Sequence, residues 1–271
     1  MRTRKIPRTG EAIPVIGLGT WQTFDVGASE KERAPLVEVL RRFFAAGGAV
    51  IDSSPMYGRS EEVTGDLIAA GGHAAFLATK VWTRGKAAGK AQIEESMRRL
   101  RRVRLDLLQI HNLLDWKAHL PVMRELRDSG RIRYLGITHY MLSAFDEMQR
   151  LLETEKFDFV QLPYSVNERT AEQRLLRTAA DTGTAVLVMR PFEEGALFSL
   201  VKGKPVPGWA TAAGFESWAQ LFLAFVLAHP AVTCALPATS KPDHLLQNVR
   251  AGNGPELTAE LRKRLIAELQ R

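Results

Sequence analysis

A chain of 271 residues, 45% hydrophobic and 25% charged, has the make-up of an ordinary globular protein and excludes a disordered or collagen-like one. Its one cysteine, Cys234, cannot form an internal disulfide, which fits a reducing compartment and a core large enough to hold without cross-links. The net charge of +7 raises a nucleic-acid reading, but the densest basic run, Arg98-Arg99-Leu100-Arg101-Arg102-Val103-Arg104, has no interleaved aromatics and reads as a solvated helix face.

The opening Met1-Arg2-Thr3-Arg4-Lys5 is basic but runs into Ile6-Pro7-Arg8-Thr9-Gly10 with no apolar core of a signal peptide, and no later stretch reaches membrane-spanning length. A cytoplasmic protein is the expectation. Lys5-Ile6-Pro7 and Ala12-Ile13-Pro14, around Thr9-Gly10-Glu11, predict a small hairpin. Eight short apolar, β-rich runs follow: 15–21, 49–54, 75–82, 106–112, 134–139, 157–165, 184–192 and 232–240. Amphipathic patterns lie between them, such as Leu36, Val39, Leu40, Phe43 and Phe44 on one helical face. Ser29 with Glu32, and Ser143 with Asp146, read as helix starts, while Gly47-Gly48, Gly71-Gly72 and Ser129-Gly130 read as stops.

Strand and helix alternating at a period of about 30 residues mean βα units whose right-handed crossovers impose a parallel sheet. Eight units in a chain of this length predict one domain spanning 1–271, an α/β fold of the (β/α)8 TIM-barrel type, with the hairpin closing the barrel floor. The stretch 200–214, rich in Pro and Gly around Trp209, predicts an ordered loop at the mouth.

Chemistry in such a barrel sits at the C-terminal strand ends. There the second run ends in Asp52, followed by Ser53-Ser54-Pro55-Met56-Tyr57-Gly58; the third strand ends at Lys80 and the fourth at His111-Asn112. Each residue alone has a bland explanation as a surface or rim side chain, but an acid, a phenol, an amine and an imidazole converging on one mouth suit proton transfer. An unperturbed phenol, with a pKa of about 10, donates poorly near neutrality. Lys80 beside Tyr57 favours the phenolate, and Asp52 keeps Lys80 charged and in place. His111 is left to bind the substrate oxygen or share the proton.

These residues resemble the aldo-keto reductases, with Asp52, Tyr57, Lys80 and His111 matching the family's catalytic tetrad. The likeness runs in order from Gly17-Leu18-Gly19-Thr20-Trp21 through Asp52 to Gly58, Thr79-Lys80-Val81-Trp82, Leu107 to His111 and Gly136-Ile137-Thr138-His139 to Leu236-Pro237-Ala238-Thr239-Ser240. It implies reversible hydride transfer between a nicotinamide cofactor and a small carbonyl compound, with Tyr57 protonating the developing alkoxide and no metal. It also implies a cofactor lying extended across the mouth, without the Gly-x-Gly-x-x-Gly loop, which this chain lacks. By the same likeness Gly19, Thr20 and Trp21 border the cofactor, Thr138, His139 and Gln161 meet its carboxamide, and Arg190, Pro191, Phe192, Gly195 and Leu197 lie near the pyrophosphate. Ala238, Thr239, Ser240, Lys241 and His244 fall at the adenosine phosphate, where helix N-terminal amides suit an anion, and Gln247 and Asn248 at the adenine.

The chain departs from better-known members at three places. Thr138-His139 stands where they have serine and asparagine, Met189 where many have a tyrosine under the nicotinamide, and Ala238 and His244 where a lysine and an arginine grip the 2'-phosphate. NADPH is the expected cofactor, with Thr239, Ser240 and Lys241 supplying selectivity, and NADH the alternative. Trp21, Phe24 and Trp82 are expected to wall a pocket for an apolar or aromatic aldehyde or ketone, and no basic residue is evidently aimed at a substrate carboxylate or phosphate. The expected state is a monomer without nucleic-acid or membrane partners. Two rival readings are a non-catalytic nicotinamide-binding regulatory barrel and a barrel isomerase or aldolase with a Schiff base on Lys80, the latter disfavoured because Asp52 keeps the amine protonated.

Overall fold

The computed structural model describes residues 1–270. The chain opens with an antiparallel hairpin, β1 (Thr3–Lys5) and β2 (Ala12–Pro14), in register with Arg4 opposite Ile13. Its pairing begins earlier than the sequence pattern suggests. The ladder continues through the Ile6 N–H, bonded to Glu11 O at 2.7 Å, and stops at Pro7, which has no N–H to give.

Eight parallel strands then follow in order: β3 (Leu18–Gly19), β4 (Val50–Asp52), β5 (Phe76–Val81), β6 (Leu105–His111), β7 (Ile132–Thr138), β8 (Phe159–Pro163), β9 (Ala185–Met189) and β10 (Val232–Ala235), each paired with its predecessor. The sheet closes on itself. Gly17 N–H donates to Ala235 O at 2.8 Å, Ala235 N–H to Val15 O at 2.9 Å, and Gly19 N–H to Pro237 O at 3.0 Å. Glycine is needed at 17 because a Cβ there would lie 2.6 Å from Leu236 Cδ2 and 3.0 Å from Val50 O.

Helices α1 (Glu30–Ala45), α2 (Ser60–Gly71), α3 (Lys86–Arg99), α4 (Trp116–Asp128), α5 (Phe145–Glu155) and α6 (Leu175–Asp181) connect the strands up to β9. Between β9 and β10 run α7 (Ala196–Leu200), α8 (Gly208–Ala212) and α9 (Trp218–Leu227); α10 (Pro242–Ala251) and α11 (Ala259–Leu269) end the chain. Stretch 200–214 is thus ordered around α8, whose Ala210 is buried. On α1, Leu36, Val39, Leu40 and Phe43 are buried as their spacing requires, and the Ser29 hydroxyl caps Glu32 N–H. Ser143 caps nothing: a short 3-10 turn, Leu142–Ala144, feeds α5 directly. Arg98 and Arg99 end α3 and pair with Glu95, while Leu100 to Arg104 lie in the turn beyond it, where Arg101 pairs with Asp66, so the basic run is a helix face only at its start and otherwise a loop, with counter-charges of its own.

The hairpin seals the floor. Ile6 and Ile13 join Phe76, Leu107, Tyr134, Phe159 and Leu187 in one buried cluster inside the barrel. Glu11, between β1 and β2, takes hydrogen bonds from Arg133 and the Tyr134 hydroxyl on β7, tying the plug to the wall. The open end left for chemistry is the C-terminal one.

Candidate active site

Asp52 ends β4, Lys80 lies one residue from the end of β5, and His111 ends β6, so three neighbouring parallel strands deliver three titratable groups to one rim. Tyr57 arrives on the turn between β4 and α2. Its N–H bonds Ser54 O at 3.0 Å and its carbonyl accepts from Ser60 N–H at 3.1 Å, while Gly58 turns the chain at φ 58°. Lys80 Nζ donates to Asp52 Oδ2 at 2.6 Å and to Ser53 O at 2.7 Å, and Gln109 Nε2 donates to Asp52 Oδ1 at 3.0 Å. Lys80 is 0% exposed and Asp52 4%. The ammonium lies 5.1 Å from the centre of the Tyr57 ring. The Tyr57 and His111 rings meet edge-on at 6.0 Å, and His111 Nδ1 is 3.1 Å from Ser54 Oγ.

Burial opposes the charge on Lys80, but Asp52 and the Tyr57 phenol beside it outweigh burial and hold its pKa above the ordinary lysine value. For Tyr57 the balance falls the other way. Burial pushes the phenol up, and the downward pull of Lys80 offsets only part of it, so the net shift is upward rather than toward an acidic phenol. His111 is driven to about 3, by burial first and then by the charges of Lys80 and His139, and is a neutral imidazole near pH 7.

Above these groups opens a cavity of about 540 Å3. Of the residues singled out from sequence, Gly19, Thr20, Trp21, Asp52, Tyr57, His111, Thr138, Gln161, Arg190, Pro191, Phe192, Gly195 and Ala238 line it. Met189 lines it too, where a stacking tyrosine was looked for. Lys80 lies beneath the lining. Trp82 stands at the rim, 40% exposed, its ring 6.3 Å from that of His111.

Other expectations fall elsewhere. Phe24 is 0% exposed and packs in the core, so it presents no surface to a substrate, and Leu197 is enclosed in the same way. His139 is turned aside: its Nδ1 accepts the Met141 N–H at 3.0 Å and its ring stacks on Tyr140. Thr239 Oγ1 accepts the Lys241 N–H at 3.0 Å in the turn that leads, with Ser240, into α10. His244, Gln247 and Asn248 lie on α10, outside the lining of the cavity.

Nine further residues line the cavity: Gln22, Thr23, Met56, Asn112, Tyr140, Glu194, Phe198, Leu236 and Pro237. Met56, Asn112 and Tyr140 adjoin residues already singled out, so adjacency was the available signal. Phe198 reaches in from α7, which nothing in the strand pattern foretold. Arg190, expected near the cofactor pyrophosphate, is the arginine of the lining; its guanidinium pairs with Glu194 at 2.9 Å and lies 4.8 Å over the Tyr140 ring.

Comparison with known proteins agrees with this arrangement. The chain is 31% identical over 217 residues to Aldo-keto reductase YhdN of Bacillus subtilis, a match covering 73% of this chain and 64%, just under two thirds, of that protein. It is 27% identical over 243 residues to the NADH-specific methylglyoxal reductase of Escherichia coli, covering 77% and 73% of the two chains. The crystal structure of an aldo/keto reductase from Klebsiella pneumoniae in complex with NADP and acetate superposes with a TM-score of 0.80 at 26% identity, covering 99% of this chain and 95% of that one. The profile of the Aldo/keto reductase family matches residues 15–267. With nearly its whole length matched and its strand ends carrying this constellation, the chain belongs to the aldo/keto reductase family.

Proposed function

We propose that the protein reduces aldehydes or ketones to alcohols with a nicotinamide cofactor, Tyr57 acting as the general acid. The carrying observation is the sealed Asp52–Lys80 ion pair set beneath the Tyr57 ring at the floor of the cavity. A permanent positive charge there stabilises negative charge as it passes to the phenol oxygen, which is when it counts for rate. Asp52 and Lys80 are positioning residues in this reading, and Tyr57 and His111 the groups that meet substrate.

The residues present fit a nicotinamide. Thr138 Oγ1 is buried without a hydrogen-bond partner, and Gln161, 2% exposed, lines the cavity next to it on the paired strand β8, so a hydroxyl and a carboxamide await a planar polar group. Bound there, a reduced nicotinamide supplies the hydride to the carbonyl carbon. In this reading Ser54 Oγ, 3.1 Å from His111 Nδ1, donates to it, which leaves an Nε2–H to hold the carbonyl oxygen beside the Tyr57 hydroxyl. Tyr57 then gives its proton to that oxygen as it becomes an alcohol.

NADPH is the proposed cofactor. Relatives carry both kinds, NADP in the Klebsiella protein and NADH in the named specificity of the Escherichia enzyme. Ser240 and the exposed Lys241 ahead of α10 are the groups proposed to prefer the extra phosphate. Steady NADPH oxidation with an aromatic aldehyde, lost in Tyr57→Phe while cofactor binding is kept, tests the reading. Tight cofactor binding with no turnover of any carbonyl compound overturns it.

A further inference from the structure

Resting on the carbonyl-reduction reading above, we infer that Gln109 is a positioning residue of the active site: it holds the Asp52 carboxylate turned toward Lys80, and through that ion pair it sets how readily Tyr57 exchanges its proton. Alternation along β6 sends Leu107 and Gln109 into the barrel and Leu108 and Ile110 outward. The parallel register then places Gln109 between Lys80 on β5 and Gly136 on β7. Gly136 leaves the room for it, since a Cβ there would lie 3.0 Å from Gln109 Cγ.

Packing does not account for this side chain. Gln109 is 0% exposed and its Oε1 is buried without a hydrogen-bond partner, a cost that an apolar residue in the same space would avoid. What the amide supplies is one bond, Nε2 to Asp52 Oδ1 at 3.0 Å, while Asp52 Oδ2 takes the Lys80 ammonium at 2.6 Å. Each carboxylate oxygen thus has its own buried donor, and the carboxylate is kept from swinging to chelate the ammonium with both. Lys80 Nζ gives a second N–H to Ser53 O, which leaves one for Tyr57, whose ring centre is 5.1 Å away. A carboxylate fixed at both oxygens fixes the ammonium, and the place of the ammonium decides how well it stabilises a phenolate. Asp52, Lys80, His111 and Arg190 are the charged and titratable groups around Tyr57, and of these Gln109 bonds Asp52 alone.

The test uses Gln109→Met, which keeps the length of the side chain and removes the donor, and Gln109→Glu, which keeps a polar end. Both are assayed for alcohol oxidation with NAD(P)+ from about pH 7 to about pH 11, where the phenolate is the base, so that a raised phenol pKa shows as a loss at low pH that closes as pH rises. The expected result for Gln109→Met is a loss of about tenfold in kcat/KM near pH 7 that narrows up the range, with cofactor binding unchanged. Gln109→Glu should trend the opposite way. Beside Asp52 its acid stays protonated near pH 7 and donates as the amide did, giving activity within about threefold of the wild type; at higher pH it ionises, and the second negative charge draws activity away from the wild type. With a wild type that reduces an aromatic aldehyde, no loss in Gln109→Met, or a loss equal at every pH, overturns the inference and leaves carbonyl reduction standing. Should the methionine variant not fold, Gln109→Glu decides alone, and an activity relative to wild type that does not fall with pH overturns the inference. A wild type that turns over no carbonyl compound with either cofactor removes both.

Discussion

Lys80 Nζ and Asp52 Oδ2 lie 2.6 Å apart, with the two side chains 1% and 6% exposed, and the ammonium also donates to the Ser53 carbonyl. An ion pair so enclosed is costly to assemble, and breaking it by removing one partner is costlier still, because a charge is then left buried without compensation. Under the proposed mechanism its position under Tyr57 links stability to catalysis at a single contact.

Lys80→Met is therefore expected to cut kcat by about 1,000-fold and to destabilise the fold by about 3 kcal/mol, the second effect arising from the stranded Asp52 carboxylate. The double variant Asp52→Asn with Lys80→Met should recover most of the stability but none of the rate. Thermal unfolding and steady-state kinetics on the two proteins separate these effects; recovery of turnover in the double variant would refute the role given to the charge.

Tyr57 and His111 are displaced from neutrality in opposite directions, the phenol upward by burial and the imidazole down to about 3 by burial and Lys80. Neither group then changes charge between about pH 5 and pH 9, so kcat for carbonyl reduction should be flat across that range and fall only at higher pH as Tyr57 loses its proton. An inflection near pH 6.5 that disappears in His111→Gln would show a protonated imidazole at work and contradict the neutral one.

His111 also carries a stability prediction with a definite sign. Its folded pKa, about 3, is below the unfolded value, so the unfolded chain binds the extra proton first as pH falls. The stability it contributes is present above about pH 6.5 and is lost progressively toward its folded pKa. Between pH 7.5 and pH 4.5 the wild type should lose about 2 kcal/mol more than His111→Gln, measured by urea unfolding at the two pH values. Equal losses in the two proteins would indicate that the imidazole is not desolvated.

At the opposite end of the barrel, Ile6 is fully buried in the floor cluster with Phe76, Tyr134 and Phe159. Ile6→Ala should cost about 3 kcal/mol through the lost contacts and the cavity left behind, with little change in kcat at temperatures where the protein stays folded. A large fall in kcat without a fall in melting temperature would mean that the floor and the mouth are coupled.

Under the proposed function, cofactor choice is assigned to Ser240 and Lys241, since alanine stands at 238 and histidine at 244. NADPH is expected to be used more efficiently than NADH, and Lys241→Ala to narrow the ratio of their kcat/KM values by about fivefold, as an exposed charge contact is worth about 1 kcal/mol. Equal efficiency in the wild type would remove the preference altogether.

The order of eight strands, the floor-closing hairpin and the residues at the strand ends were legible in the sequence, because alternating βα units have a period and chemistry in a barrel gathers at one rim. Adjacency along the chain carried no information about depth. Phe24, three residues beyond Trp21, looks like another wall of the pocket, yet the turn after β3 folds it into the core while Trp21 stays 38% exposed. Phe198 reaches the cavity only because the segment after β9 crosses the mouth. The tertiary structure also reversed one electrostatic expectation. A lysine near a tyrosine was read as lowering the phenol's pKa, but enclosure of the same ring pushes it further up. Residue type and spacing along the chain determined which groups arrive at the rim; how much water remains around each of them, and so how each holds its proton, was decided by packing between segments distant in sequence.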